Sequence, residues 1–240
     1  MNACAAHILR VSVRSMSMEE SMQQLVNGIR QFQSTISEEQ KALFSRLSDG
    51  QHPGALFITC SDSRVCPNLL TQTQPGELFV LRTAGNIVPP YGAVQGGEAA
   101  TIEYAVAALK VPDIVVCGHA RCGAMDALVK GEGLDQVPAV QAYLRHAEAT
   151  RRIISETCSE VDDLARRLDR AIEQNVLVQI ENLRTHPAVA AAIARDGVRM
   201  HGWVYHFHTG VVTAYSAGHK RFVPLAEAAS SAEASEVAVN

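Results

Sequence analysis

Apolar residues recur along this chain with two different periods, and the changes between them predict its elements. Met22, Leu25, Val26, Ile29 and Phe32 fall on one face of a helix over 19–32. Ser37, followed three residues later by Gln40, has the capping-box pattern for a second helix running to Leu47, which Asp49-Gly50 ends. The period then shortens. Residues 55–59 and 78–81 are compact apolar runs of strand length, with Pro75-Gly76 supplying turn chemistry between them. Beyond Gly96-Gly97 a helical pattern covers 99–109, Val111-Pro112-Asp113 halts it, and 114–117 reads as another buried strand. Strand, helix, strand at this spacing predicts a crossover unit, and therefore a parallel sheet. Helical patterns over 138–146, 164–179 and 188–195 follow, and 201–215 reads as a hairpin turning at Thr209-Gly210 that extends the sheet edge. The fold class is α/β: a mainly parallel sheet flanked by helices.

This arrangement has a chemical consequence. Cys60 and His119 both lie just past the carboxyl ends of expected parallel strands, the edge at which open α/β sheets place their ligands. Cys60 opens the run Cys60-Ser61-Asp62-Ser63-Arg64, and His119 opens His119-Ala120-Arg121-Cys122. Two thiolates and an imidazole suit zinc, and the thiolates offset the charge of the metal. A structural zinc is normally closed by four protein ligands, whereas here the count stops at three, leaving a place for water with Asp62 as the nearby candidate to fill it. Each cysteine alone would read as a buried inert thiol, and Asp62 with Arg64 alone as a surface ion pair. The spacing of the set favours a catalytic metal site.

Composition narrows the class further. The chain has 240 residues, 47% of them hydrophobic, enough to bury the core of one domain. A net charge of −4, scattered rather than blocked, argues against a nucleic-acid surface. No apolar run reaches the roughly 20 residues that span a bilayer. Six cysteines without a secretory signal read as free thiols in a reducing, cytoplasmic compartment. Residues 1–18 contain Arg10, Arg14 and no acid; they read as a disordered extension, with an organelle transit peptide as the alternative. Residues 19–225 form the expected catalytic domain, and 226–240, rich in Ala, Ser and Glu, a solvated tail. His206 and His208 alternate on a strand and are expected to face solvent. Cys66 is expected to be a packed thiol.

Several motifs in order carry a resemblance to the β-class carbonic anhydrases, in their bacterial and plant-like subtype: Cys60-Ser-Asp-Ser-Arg64, Gln74-Pro-Gly-Glu-Leu-Phe79, Arg82-Thr-Ala-Gly-Asn86, His119-x-x-Cys122-Gly123 and His201-Gly-Trp-Val-Tyr205. The resemblance spans about 25–225 and implies reversible hydration of carbon dioxide to bicarbonate at one Zn2+ per chain. It implies Cys60, His119 and Cys122 as metal ligands. It implies Asp62 and Arg64 as a dyad whose carboxylate accepts the hydrogen of the attacking hydroxide. Gln51, Phe79 and Tyr104 then shape the substrate pocket, with the Gly123 N–H as a further polar contact. It also implies dimers or tetramers in which amino-terminal helices pack on a partner subunit. A bicarbonate-gated group of the family uses a tryptophan, an arginine and a tyrosine; this chain matches Arg82 and Tyr205 but has Phe57 for the tryptophan, which favours an open site with Asp62 off the metal. Carbon disulfide or carbonyl sulfide hydrolysis is the neighbouring alternative, and a catalytically silent zinc-binding sensor the more distant one.

Overall fold

The computed structural model describes residues 17–93, 96–158, 163–195 and 197–230, so most of the expected extension and the last ten residues of the expected tail lie outside the described residues. The chain divides into two compact units, Met1–Gly50 and Gln51–Asn240.

The first unit contains α1 (Met18–Thr35) and α2 (Glu38–Leu47). Both helices open on complete capping boxes. Ser17 Oγ accepts from the Glu20 N–H while the Glu20 carboxylate accepts from the Ser17 N–H, and Ser37 with Gln40 repeats the arrangement. Neither helix buries a residue. Phe32 meets Phe44 edge-on at 6.4 Å, yet Met22, Leu25, Ile29 and Phe32 all remain more than half exposed. The apolar stripe read from the sequence thus forms and is left uncovered by the rest of its own unit.

The second unit is built on a six-stranded sheet in the order β2-β1-β3-β4-β5-β6. Its strands are β1 (Ala55–Cys60), β2 (Leu78–Thr83), β3 (Asp113–His119), β4 (Arg199–His206), β5 (Val211–Ser216) and β6 (Arg221–Pro224). The first four are parallel, and β4, β5 and β6 pair antiparallel. The hairpin over 201–215 therefore exists, but its first strand is interior, bonded to β3 as well as to β5, and β5 and β6 form the edge. The helices are α3 (Pro67–Thr71), α4 (Gly97–Glu103), α5 (Gly123–Lys130), α6 (Pro138–Leu144), α7 (Glu148–Thr157), α8 (Leu164–Arg184), α9 (Pro187–Ile193) and α10 (Leu225–Ser230). α4 runs on through a π-turn, Tyr104–Ala108, in which the Leu109 N–H reaches back to the Tyr104 carbonyl at 3.0 Å.

Alternation along the strands sends side chains to two faces. Leu56, Ile58, Ile114 and Val116 pack with Ile172, Val176, Ile180 and Leu183 of α8 in the larger core, while Phe57, Val115 and Cys117 form a smaller cluster with Trp203 and Tyr205. α8 lies close on the sheet because Gly118 has no side chain: a Cβ there would stand 3.0 Å from Val176 Cγ2. One expectation is corrected at the carboxyl end. Residues 226–230 of the expected tail are helical, because Ala228 is buried with Ala214 and Val223 in a third apolar cluster.

Candidate active site

The chain passes from β1 to β2 on one side and then crosses to β3 on the other, so strand order reverses between β1 and β3. Cys60 ends β1 and His119 ends β3. Arg121, in the left-handed region at φ 54°, turns the chain, and Cys122 caps the amino end of α5. The result is one buried group: Cys60, His119 and Cys122 are each no more than 6% exposed, and their ligand atoms lie within 4.8 Å of one another. No other group of three or more His, Cys, Asp or Glu residues among those described is close enough to share an ion.

His119 Nδ1 lies 2.9 Å from the Ala120 carbonyl, which fixes the N–H on Nδ1 and leaves the Nε2 lone pair facing the thiols. Nε2 is buried and has no hydrogen-bond partner. A buried acceptor without a donor is costly, and the two neighbouring sulfurs are poor donors, so this donor set fits a cation of zinc's borderline softness. The thiols point the same way. Cys60 is pulled down to about 4, chiefly by a hydrogen bond from Cys122, with burial opposing and the backbone of Asp62 and Gly85 assisting. Cys122 is pushed up by that same contact and by burial. The two sulfurs titrate as one unit, and a dication among them stabilises both as thiolates.

Asp62 stands beside this group, its Oδ2 3.8 Å from His119 Nε2. Arg64 holds it with a fork, Nε to Oδ1 at 2.9 Å and Nη2 to Oδ2 at 2.7 Å, and the Arg64 backbone N–H adds a third bond to Oδ1 at 2.9 Å. The Arg64 guanidinium keeps the carboxyl well below the usual carboxylate range, against a smaller opposing effect of burial. Arg64 also donates to the Arg121 carbonyl at 3.1 Å, which links the Cys60 loop to the Cys122 turn.

Several supports were not legible in the sequence. Arg82, noted there only for a gating pocket, donates to the Cys60 carbonyl at 3.0 Å and the Asp62 carbonyl at 2.7 Å. Gly85 sits at φ 64°, where a Cβ would come within 2.9 Å of the Ala124 side chain, and its carbonyl takes a bond from Asn175 Nδ2 at 2.9 Å. Gln179 Nε2 braces Asn175 at 2.8 Å and Asn182 Nδ2 bonds the Val88 carbonyl at 2.8 Å. α8 thus pins the 85–88 loop behind Cys60 through three amides. Amides on a helix read as a solvent face, and only the contact across about ninety residues reveals them as buried partners. Phe207 is the other omission: its ring lies 4.5 Å beneath the Arg64 guanidinium carbon and 6.4 Å from the His119 ring.

Of the expected pocket residues, Phe79 and Tyr104 come together with ring centroids 5.9 Å apart, and Tyr104 remains 51% exposed. Gly123 begins α5, where a backbone N–H has no intrahelical acceptor. Gln51 is exposed in the segment before β1. Phe57 is a core aromatic, packed edge-on against Trp203 at 6.1 Å. Two peripheral expectations are corrected. Cys66 is exposed at the amino end of α3, whereas the packed thiol is Cys117, pushed up to about 12 by burial. His206 is half-buried at the end of β4 and pulled down by burial, with the Asp169 carboxylate opposing; only His208 is exposed.

With this geometry established, comparisons with known proteins become informative. Residues 55–212 match the family model described as carbonic anhydrase. A carbonic anhydrase of Pseudomonas aeruginosa is 51% identical over 208 residues, covering 86% of this chain and 93% of that protein. The solved β-carbonic anhydrase CcaA superposes with a TM-score of 0.82 at 44% identity, covering 85% of this chain and 92% of that one. A tetrameric β-carbonic anhydrase of Sordaria macrospora gives 0.71 at 29% identity, over 81% and 96%. The sheet edge, the Cys-His-Cys group and these likenesses agree, and the chain belongs to the carbonic anhydrase family, in its β class.

Proposed function

We propose that the reversible hydration of carbon dioxide, the activity of this family, runs in this chain at one zinc ion held by Cys60, His119 and Cys122. The observation that carries the reading is the juxtaposition of the three buried ligand atoms with the Asp62 carboxylate, 3.8 Å from His119 Nε2. Bound there, zinc supplies a Lewis acid that makes water acidic enough to serve as a nucleophile near neutral pH.

The remaining work falls to the chain. Asp62, kept ionised by Arg64, is an acceptor only, so it holds the hydrogen of an incoming water or hydroxide and leaves an oxygen lone pair directed at carbon. Both of its oxygens are engaged by Arg64, which supports an open arrangement with the carboxylate off the metal. Phe79 and Tyr104 offer an apolar wall for carbon dioxide, and the Gly123 N–H a donor to one of its oxygens. Gln51 reaches the same pocket from a second copy of the chain.

That last assignment follows from self-association as dimers or tetramers. The exposed stripe on α1 supports it, because an apolar helix face of this size requires a covering surface, as does the tetrameric state of the Sordaria relative. A cytoplasmic location is supported by the free thiols; no helix among the described residues is long and apolar enough to cross a membrane. Stopped-flow measurement of carbon dioxide hydration on protein of known metal content tests the proposal. A zinc-loaded protein that leaves carbon dioxide unhydrated would overturn it.

A further inference from the structure

Phe207 lies in the turn after β4, beside the candidate site. It belongs to none of the three apolar clusters among the described residues. Its ring meets His208 edge-on at 5.9 Å and reaches the site on its other contacts: the Arg64 guanidinium carbon over the ring face at 4.5 Å, and the His119 ring at 6.4 Å. The backbone holds it there from both sides. On the strand side, the Ala120 N–H donates to the Tyr205 carbonyl at 2.9 Å, carrying the β3–β4 ladder one step past His119. On the turn side, the His206 carbonyl accepts from the Thr209 N–H at 3.0 Å, the Gly210 N–H at 2.9 Å and Thr209 Oγ1 at 3.1 Å, and Gly210 turns the chain at φ 76°. These bonds fix the backbone on both sides of Phe207, and so the point from which its ring reaches Arg64.

Arg64 needs such a fixed point. Its side chain is 45% exposed, and an exposed guanidinium held by a single carboxylate retains freedom to swing with it. Asp62, the Arg121 carbonyl and the Phe207 face together fix it from three directions. We propose that Phe207 is a positioning residue for the reaction: its ring face holds the Arg64 guanidinium, and through it the orientation of the Asp62 carboxylate. The attraction is between the cation and the negative face of the ring, so it depends on an aromatic side chain rather than on volume. The proposal rests on the dyad reading given above.

The test compares Phe207→Leu, which retains apolar bulk but has no ring face, with Phe207→Tyr, which retains the face. Turnover, zinc content, thermal midpoint and the 15Nε resonance of Arg64 are measured for each. Phe207→Leu is expected to lower kcat by about twofold to fivefold, the range of a cation–π contact at a partly exposed site, and to shift the Arg64 resonance, with KM, zinc and midpoint held. Phe207→Tyr should restore both kcat and the resonance. In an Arg64→Ala background, Phe207→Leu should add little further loss, since the two residues act as one unit. Wild-type turnover in Phe207→Leu, equal losses in the Leu and Tyr variants, or an undiminished penalty in the Arg64→Ala background would each overturn the proposal. Loss of zinc from Phe207→Leu would also overturn it, by placing the effect on His119. Asp62→Asn serves as the control: if it retains full activity the dyad reading itself fails, whereas its inactivity beside a fully active Phe207→Leu removes only the role of Phe207.

Discussion

Arg82 Nη2 donates to the backbone carbonyl of Asp62 at 2.7 Å, so the residue that faces the metal group is fixed from behind by a strand it does not belong to. The same guanidinium holds the Cys60 carbonyl through Nε at 3.0 Å. One β2 side chain therefore closes two carbonyls at the end of β1 and sets the path of the chain between ligand and dyad. Hydrogen bonds from a charged donor are worth about 1.5–3 kcal/mol. Arg82→Met, which keeps the stem and removes the donors, should lose about that much stability in denaturant unfolding and retain zinc less firmly on dialysis against a chelator. Unchanged unfolding and metal retention would reduce Arg82 to a bystander.

Removing one ligand separates metal binding from chemistry. Cys122→Ser should lose most of the zinc measured by metal analysis, because a neutral hydroxyl replaces a thiolate at the start of α5. Asp62→Asn should keep the metal and lose turnover by about a hundredfold or more, the scale of a general acid–base group, because an amide presents a hydrogen where an acceptor is required. Zinc at one equivalent in Cys122→Ser, or wild-type hydration by zinc-loaded Asp62→Asn, would contradict these assignments.

Far from the site, Asp113 ties the amino ends of two parallel strands. Arg199 forks onto it at 2.9 and 2.8 Å, and His201 Nε2 lies 2.7 Å from its Oδ1. Burial works to raise its pKa, but the Arg199 and His201 contacts outweigh that and hold it below the ordinary value. A depressed carboxylate contributes stability that is fully present above its unfolded pKa, about 3.9, and is lost as pH falls through the lower folded value. Asp113→Asn should therefore destabilise the protein at neutral pH and flatten its acid limb below about pH 4. Parallel stability curves for the two proteins through that window would show that Asp113 carries no linkage.

The stripe on α1 predicts the assembly. Leu25→Glu with Ile29→Glu places two charges at positions that are about 60% exposed in the single chain, 60% and 59% respectively, so a monomer should tolerate them. An assembled protein should dissociate, shown by a fall in mass on light scattering, and should lose hydration while keeping zinc if Gln51 works across the interface. A variant with unchanged mass and full activity would remove α1 from the interface.

What the sequence determined by itself was the local and the chemical. The capping box at Ser37 and the apolar period over 19–32 placed two helices to within a turn, since both are signals between residues three or four apart, whereas the box at Ser17 emerged only in the structure. Apolar runs marked β1, β2 and β3, and two thiols with an imidazole at their ends named the candidate metal group, because donor chemistry travels with residue type. What the tertiary structure decided was everything that depends on distance in space. The patterns gave no sign of α5 or α7, whose helices are short and lie against α8. They placed His201 in an edge hairpin, whereas parallel pairing with β3 makes β4 interior. Asn175, Gln179 and Asn182 carry no periodic signal that distinguishes a solvent face from a buried hydrogen-bond network, and Phe207 looks like any turn aromatic until Arg64 is found above it. The Cys60, His119 and Cys122 group could be read from composition and order because affinity for a metal is a property of donor atoms; its supports could not, because a supporting bond exists only once the chain has brought β2, α8 and the β4–β5 turn to the same sheet edge.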